Sequence, residues 1–216
     1  MGHNMNNVRF LQLGWVLFAA VTAVALAGGF QASTPKLGSV DFPKVIEASD
    51  FGKANQTTLN RMETAREELL QFIDSNRALT LEQATSIRDL TLKSERTKEE
   101  EARLESLKAD VVAQTKKWQA LATKLDMSSE ERTLVEEYAK RAQTMKETEE
   151  TWFNSFSNEL KTFTDKAKIE GLNRAKAAVQ DVARIQGYTV VFESSTAPYA
   201  ANDLSDATLT AMNAKK

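Results

Sequence analysis

From Leu59 the seam positions recur at 59, 62, 66, 69 and 73, alternating steps of three and four, with Arg66 as the one polar intruder. The alternation is cleanest at Leu104, Leu107, Val111, Gln114, Trp118, Leu121 and Leu125. It continues at Val135, Tyr138, Ala142, Met145, Glu149, Trp152 and Phe156. A seam of that period, with charges elsewhere, predicts helices that pack as in a coiled coil. Phe156, Leu160, Phe163 and Ala167 then step four-three-four, a local drift towards an eleven-residue period that relaxes a left-handed supercoil. No Pro follows Pro43 before Gln186, and the only interior glycines are Gly52 and Gly171. Residues 43–186 therefore read as helix almost throughout.

Short apolar runs bracket that stretch. Leu37 to Phe42 alternates as a half-buried strand, and Tyr188 to Glu193 is β-branched and aromatic. Ala197 to Ala201, with Pro198, reads as an edge strand, where Pro is tolerated. Asp203 to Asn213 reads as a closing helix capped by Asp203 or Ser205. A helix that leaves a small sheet must turn round to bring the chain back to it. The expected fold is therefore α+β: a β base from 37–48 and 187–216, and a long coiled-coil-like helical hairpin, or arm, over 49–186.

Local signals place the ends of these elements. Asp41 can cap the first helix, with Pro43 in its first turn, where a missing N–H costs nothing. Ser49-Asp-Phe-Gly52 interrupts that helix and restarts it. Asp41 and Asp50 could be read as paired carboxylates, but both stand at helix starts, and capping is the simpler role. Thr80-Leu-Glu-Gln83, Thr97-Lys-Glu-Glu100 and Ser128-Ser-Glu-Glu131 each match the S/T-x-x-E/Q capping box. They predict helix breaks near residues 79, 95 and 127. Gly187 suits a left-handed residue just past the last helix.

The amino-terminal segment has its own pattern. Arg9 precedes an apolar run from Trp15 to Ala27 that ends in Ala25-Leu-Ala27, an A-x-A pattern. Residues 1–27 are expected to be a cleaved export signal, with 28–36 as a linker. The competing reading is retention as an anchor, since 10–27 is near the lower limit for a membrane span. Either way the remainder is expected outside the cytoplasm, where no ATP is at hand.

Composition narrows the chemistry. Net charge is −2, with 28 basic and 30 acidic residues, so no polybasic nucleic-acid surface is expected. There is no Cys, and the one His, His3, lies in the expected signal. No nucleophile–base pair, metal site or phosphate-binding loop can be assembled, so neither an enzyme nor a cofactor is expected. Trp118, Trp152, Phe153, Phe156 and Phe163 admit a ligand-groove reading. Four of the five fall on the seam and read more simply as core. Phe153 lies off it and is the better exposed contact.

The two ends of the chain together resemble the Skp/OmpH family of periplasmic chaperones. The resemblance rests on Gly38-Ser-Val40-Asp-Phe-Pro-Lys44-Val45 and Gly52-Lys-Ala54 at the start. At the end it rests on Gly187-Tyr-Thr-Val190-Val191-Phe192, Tyr199-Ala200, Asp203-Leu-Ser205, Leu209 and Met212-Asn213. It implies a homotrimer whose β bases join, through Val40, Phe42, Val190, Val191, Phe192 and Tyr199 among others. It also implies arms that enclose a cavity for unfolded outer-membrane proteins in the periplasm, held without ATP. The five arm aromatics become candidate client contacts. Sheet physics points the same way, because two or three strands of about six residues are marginal alone. The rival reading is a membrane-anchored coiled-coil spacer of the envelope, which requires the first segment to be retained.

Overall fold

The computed structural model describes residues 34–215; the expected export signal and most of the linker lie outside the described residues. The chain is mostly helical, with one small sheet. Strand β1 (Leu37–Val40) leads into α1 (Phe42–Ala48) and α2 (Asp50–Ser75), followed by α3 (Leu81–Leu92) and α4 (Lys98–Ala122). Helix α5 (Ser129–Gln186) returns to strand β2 (Val190–Glu193), and α6 (Ser205–Ala214) closes the chain.

β1 and β2 pair in parallel, Leu37 opposite Val190 and Val40 opposite Glu193. The first strand stops at Val40, two residues earlier than its alternation suggests, because Asp41 is committed to the next helix. The Asp41 carboxylate accepts from the Lys44 N–H at 3.0 Å, and Pro43 sits in the first turn. The second break is capped by Ser49, not Asp50: Ser49 Oγ accepts from Gly52 N at 3.0 Å and donates to Ile46 O at 2.6 Å. Asp50 simply lies in the first turn of α2.

The other edge of β1 is covered differently from expectation. Ala197 to Ala201 forms turns rather than an edge strand. Its N–H groups are taken locally, Ala197 N donating to Glu193 O and Ala200 N to Ala197 O. The place beside β1 goes instead to Asn202 and Asp203, through Ser39 N to Asn202 O and Leu204 N to Ser39 O, both 2.8 Å. Asp203 starts the closing helix from outside it, its Oδ1 accepting from both the N–H and the hydroxyl of Ser205. Those two bonds hold its carboxyl below the usual carboxylate range.

The base core is Val40, Val45, Ala175, Ala178, Val179, Val182, Leu204 and Met212, so the inner end of α5 is part of it. α5 ends at Gly187, which has φ +72° and ψ 28°, the left-handed geometry in which a Cβ is strained.

The arm is not a simple hairpin. α5 has 58 residues, about 87 Å of helix, whereas α2 has 26, about 39 Å. α2 and α5 run side by side from the base. At the end of α2 the chain folds back as α3, which packs on α2, α4 and α5, and α4 then runs outward again. Their shared core holds Leu69, Ile73, Leu79, Ile87, Leu104, Val111, Met145, Trp152 and Phe156. Fully burying a Leu or Ile there contributes about 1.5–3 kcal/mol, which outweighs the weak intrinsic preference of a 12-residue helix such as α3.

Each of the three S/T-x-x-E/Q matches is a closed capping box at the start of α3, α4 or α5. Two of them share an added clasp. Lys93 Nζ donates to both carboxylate oxygens of Glu100, at 2.6 and 2.7 Å, and Lys124 does the same to Glu131. The lysine bonds, then the N–H of the cap residue, hold both carboxyls below the usual glutamate range. A depressed carboxyl adds stability above its unfolded value and loses it as pH falls through the folded one. Acidification below about pH 4 is therefore expected to fray the starts of α4 and α5 first. Amide exchange along a pH series checks this: protection at 98–101 and 129–132 should fall while that of Ile73 persists.

Candidate functional site

Among the described residues, the surfaces that stand out are apolar ones left uncovered. Among the described residues no group of His, Cys, Asp or Glu could hold a metal, and no helix is long and apolar enough to cross a membrane.

The arm provides the first such surface. Trp152 and Phe156 are buried, their rings tilted at 42° with centroids 6.4 Å apart. Each is also roofed by a guanidinium, Arg88 over Trp152 at 4.8 Å and Arg66 over Phe156 at 5.3 Å. Such stacking covers the ring face with a guanidinium instead of another apolar side chain. This accounts for the polar intruder in the seam: Arg66 also bonds Glu159 at 2.7 Å. These two aromatics are therefore packing residues, and neither is open to a partner from outside. Phe163 is half-buried further down α5. Trp118 is half-buried against Tyr138, with centroids 6.3 Å apart.

Phe153 stands apart. It is 59% exposed and lines a groove of about 450 Å³ between the outer end of α2 and α5. Leu70 forms the other apolar wall, and Arg77, Lys146, Glu149, Glu150 and Asn154 form the rim. Arg77 is already engaged by Asp74 and lies 3.6 Å from Glu149. The rim is therefore mixed in sign, and the floor is what attracts. Leu70 was not singled out by the seam because it lies one residue beyond Leu69; its partnership with Phe153 comes from the pairing of α2 with α5. At the far end Leu125 is 97% exposed in the turn between α4 and α5, although it continues the seam in sequence, because the helix has already ended at Ala122.

The base provides the second surface. Of the six base residues named above, Val40, Phe42 and Val191 pack into the protomer's own core. Val190, Phe192 and Tyr199 face outward, with Leu37 beside them. β2 pairs only with β1, so its other edge has no partner among the described residues. Phe192 and Tyr199 border a groove of about 810 Å³ between the 34–37 segment and the 197–202 turns, Pro198 among them. An apolar edge strand of this kind is the usual template for association between copies.

Comparison with known proteins adds one match. A family model described as "Outer membrane protein (OmpH-like)" matches residues 36–212. No curated protein matches the chain.

Proposed function

This chain belongs to the OmpH (Skp-like) family, and from that premise we propose that it is an ATP-independent periplasmic holdase for unfolded outer-membrane proteins, working as a homotrimer. The observation that carries the reading is the extent of the match, from Lys36 to Met212, across both the β base and the arm. In this reading the bases join through the β2 edge, because a two-stranded sheet is marginal on its own. Three arms projecting from one base then surround a space in which an unfolded chain is kept from its like. No energy source is needed, since occupancy of the unfolded client by mass action is enough.

Contact with the client falls to apolar surface rather than net charge. The chain is slightly acidic, and the charges around the Phe153 groove are of both signs. Client affinity should then weaken only modestly between low and physiological salt, unlike a charge-steered encounter. Phe153→Ser is expected to lower affinity for a urea-unfolded outer-membrane barrel by about tenfold, the effect of removing one well-seated aromatic. Fluorescence anisotropy of the labelled client measures this. Helicity and oligomer mass should not change, because Phe153 lies outside the arm core. Unaltered affinity would place the client elsewhere on the arm.

A further inference from the structure

Of the four arm helices, α3 is held most lightly. It has 12 residues, a length at which an isolated helix is marginal in water. Only Ala84 and Ile87 are fully buried in it, and Leu81 is 52% exposed. Its side-chain bonds stay local: Arg88 pairs with its neighbour Asp89, and the box of Thr80 and Gln83 closes on itself. Among the described residues, no side-chain hydrogen bond or ion pair ties α3 to α2 or α5. α2 and α5, by contrast, are tied to each other by Arg66 and Glu159 at 2.7 Å. The Thr91 hydroxyl, in the last turn of α3, is buried without a partner. Few buried apolar groups and few tertiary bonds mark the elements of a fold that open first.

What α3 covers is apolar. Ala84 and Ile87 complete the core that holds Leu69, Ile73, Met145 and Trp152, and Arg88 roofs Trp152 at 4.8 Å. Successive residues of a helix point about 100° apart. Leu69 and Trp152 therefore belong to a different flank of the α2–α5 pair from Leu70 and Phe153, which line the open groove. The pair carries one apolar flank uncovered and another beneath α3. Helix breaks stand at both ends of α3, at 76–80 and 93–97. Unwound, residues 76–97 reach up to about 70 Å, long enough for α3 to leave while α2, α4 and α5 keep their places.

We propose that α3 is a displaceable cover over a second client-binding face, formed by Leu69, Ile73, Met145 and Trp152, and that an apolar segment of the unfolded client takes its place. Arg88, the charge that α3 brings to this face, leaves with it, so the occupant is chosen for apolar area. The occupant rests on the holdase reading, and the opening of α3 does not. Amide exchange of the mature protein without client tests the opening. Protection over 84–92 is expected to be about tenfold or more below that over 69–73 and 149–156. Equal protection in all three overturns the proposal, because α3 then opens only with the whole arm. Asp89→Pro, at an exposed interior position of α3, should raise the open population about a hundredfold. Its affinity for a labelled, urea-unfolded outer-membrane barrel should rise by about tenfold or more, since a face open only part of the time binds weaker by that fraction. Affinity unchanged or lowered in Asp89→Pro overturns the cover. Should Asp89→Pro lose more helix by circular dichroism than α3 contains, Thr80→Ala removes only the cap of α3. About fivefold faster exchange over 84–92 with tighter client binding supports the proposal there, and unaltered affinity overturns it. A parent that binds no client overturns the holdase reading and the client half of this proposal with it, while early exchange of α3 would still stand.

Discussion

Phe192→Asp is expected to convert the proposed trimer to monomers without unfolding the arm. Phe192 and Val190 alternate with Val191 along β2, so the first two face away from the protomer's core while Val191 packs into it. Phe192 is 38% exposed, beside Leu37 and Tyr199. In the lone protomer an aspartate there would be solvated at little cost. Buried between copies without a partner, it would cost several kcal/mol, more than a trimer built on short edge strands could absorb. Sedimentation velocity distinguishes the outcomes: a fall in mass to about one third with helicity retained is expected. Lys161→Asp, an exposed change on α5 that gives up only the surface pair with Asp165, should sediment as the parent does. A Phe192→Asp protein with the parent's profile would mean that copies meet elsewhere or not at all.

Among the described glycines, Gly52 is expected to tolerate a methyl least, so Gly52→Ala should be strongly destabilising. The position lies at the joint between α1 and α2, and a Cβ there would stand 2.0 Å from Ile46 O and 2.9 Å from Ile46 C. Both are backbone atoms, so no side chain can swing aside. The same carbonyl accepts from Ser49 Oγ, and that hydroxyl in turn caps Gly52 N. Ser49 is fully buried, so prising the joint open leaves its hydroxyl without partners in a dry place. The movement also shifts Val45 and Ile46, which pack into the base core. Overpacking of this kind costs about 2 kcal/mol or more, or roughly 4–8 °C in Tm for a chain of this size. A thermal melt followed at 222 nm checks it, with exposed Gln56→Ala as the control. A Tm within a degree of the parent would contradict the tightness of the joint.

What could be read from the sequence was largely local. Asp41, the three capping boxes and Gly187 act on backbone groups within a few residues of themselves, so spacing alone reveals them. Trp152 and Phe156 could be read as core from the three-four alternation, and the same alternation set Phe153 apart. Ser49 and Asp50 are both good caps in adjacent positions, and only the fold decides for Ser49. The edge strand expected at residues 197–201 is absent for a related reason. Pro198 and Tyr199 carry strand-like or edge-tolerant chemistry, but Asn202 and Asp203 are the residues that Ser39 reaches. The return of α3 along α2 and the groove that joins Leu70 to Phe153 depend on contacts between separate helices. No periodicity in one helix encodes which neighbour it will meet.

A protein that holds unfolded outer-membrane proteins without nucleotide should keep one of them from aggregating. Light scattering after dilution of a urea-denatured outer-membrane barrel, with and without the mature chain and with no ATP present, tests it most directly. Scattering should be suppressed at a small molar excess of the protein, and suppression should persist at physiological salt. Undiminished aggregation at several-fold excess would contradict the holdase reading, and suppression that vanished with salt would contradict its apolar mechanism.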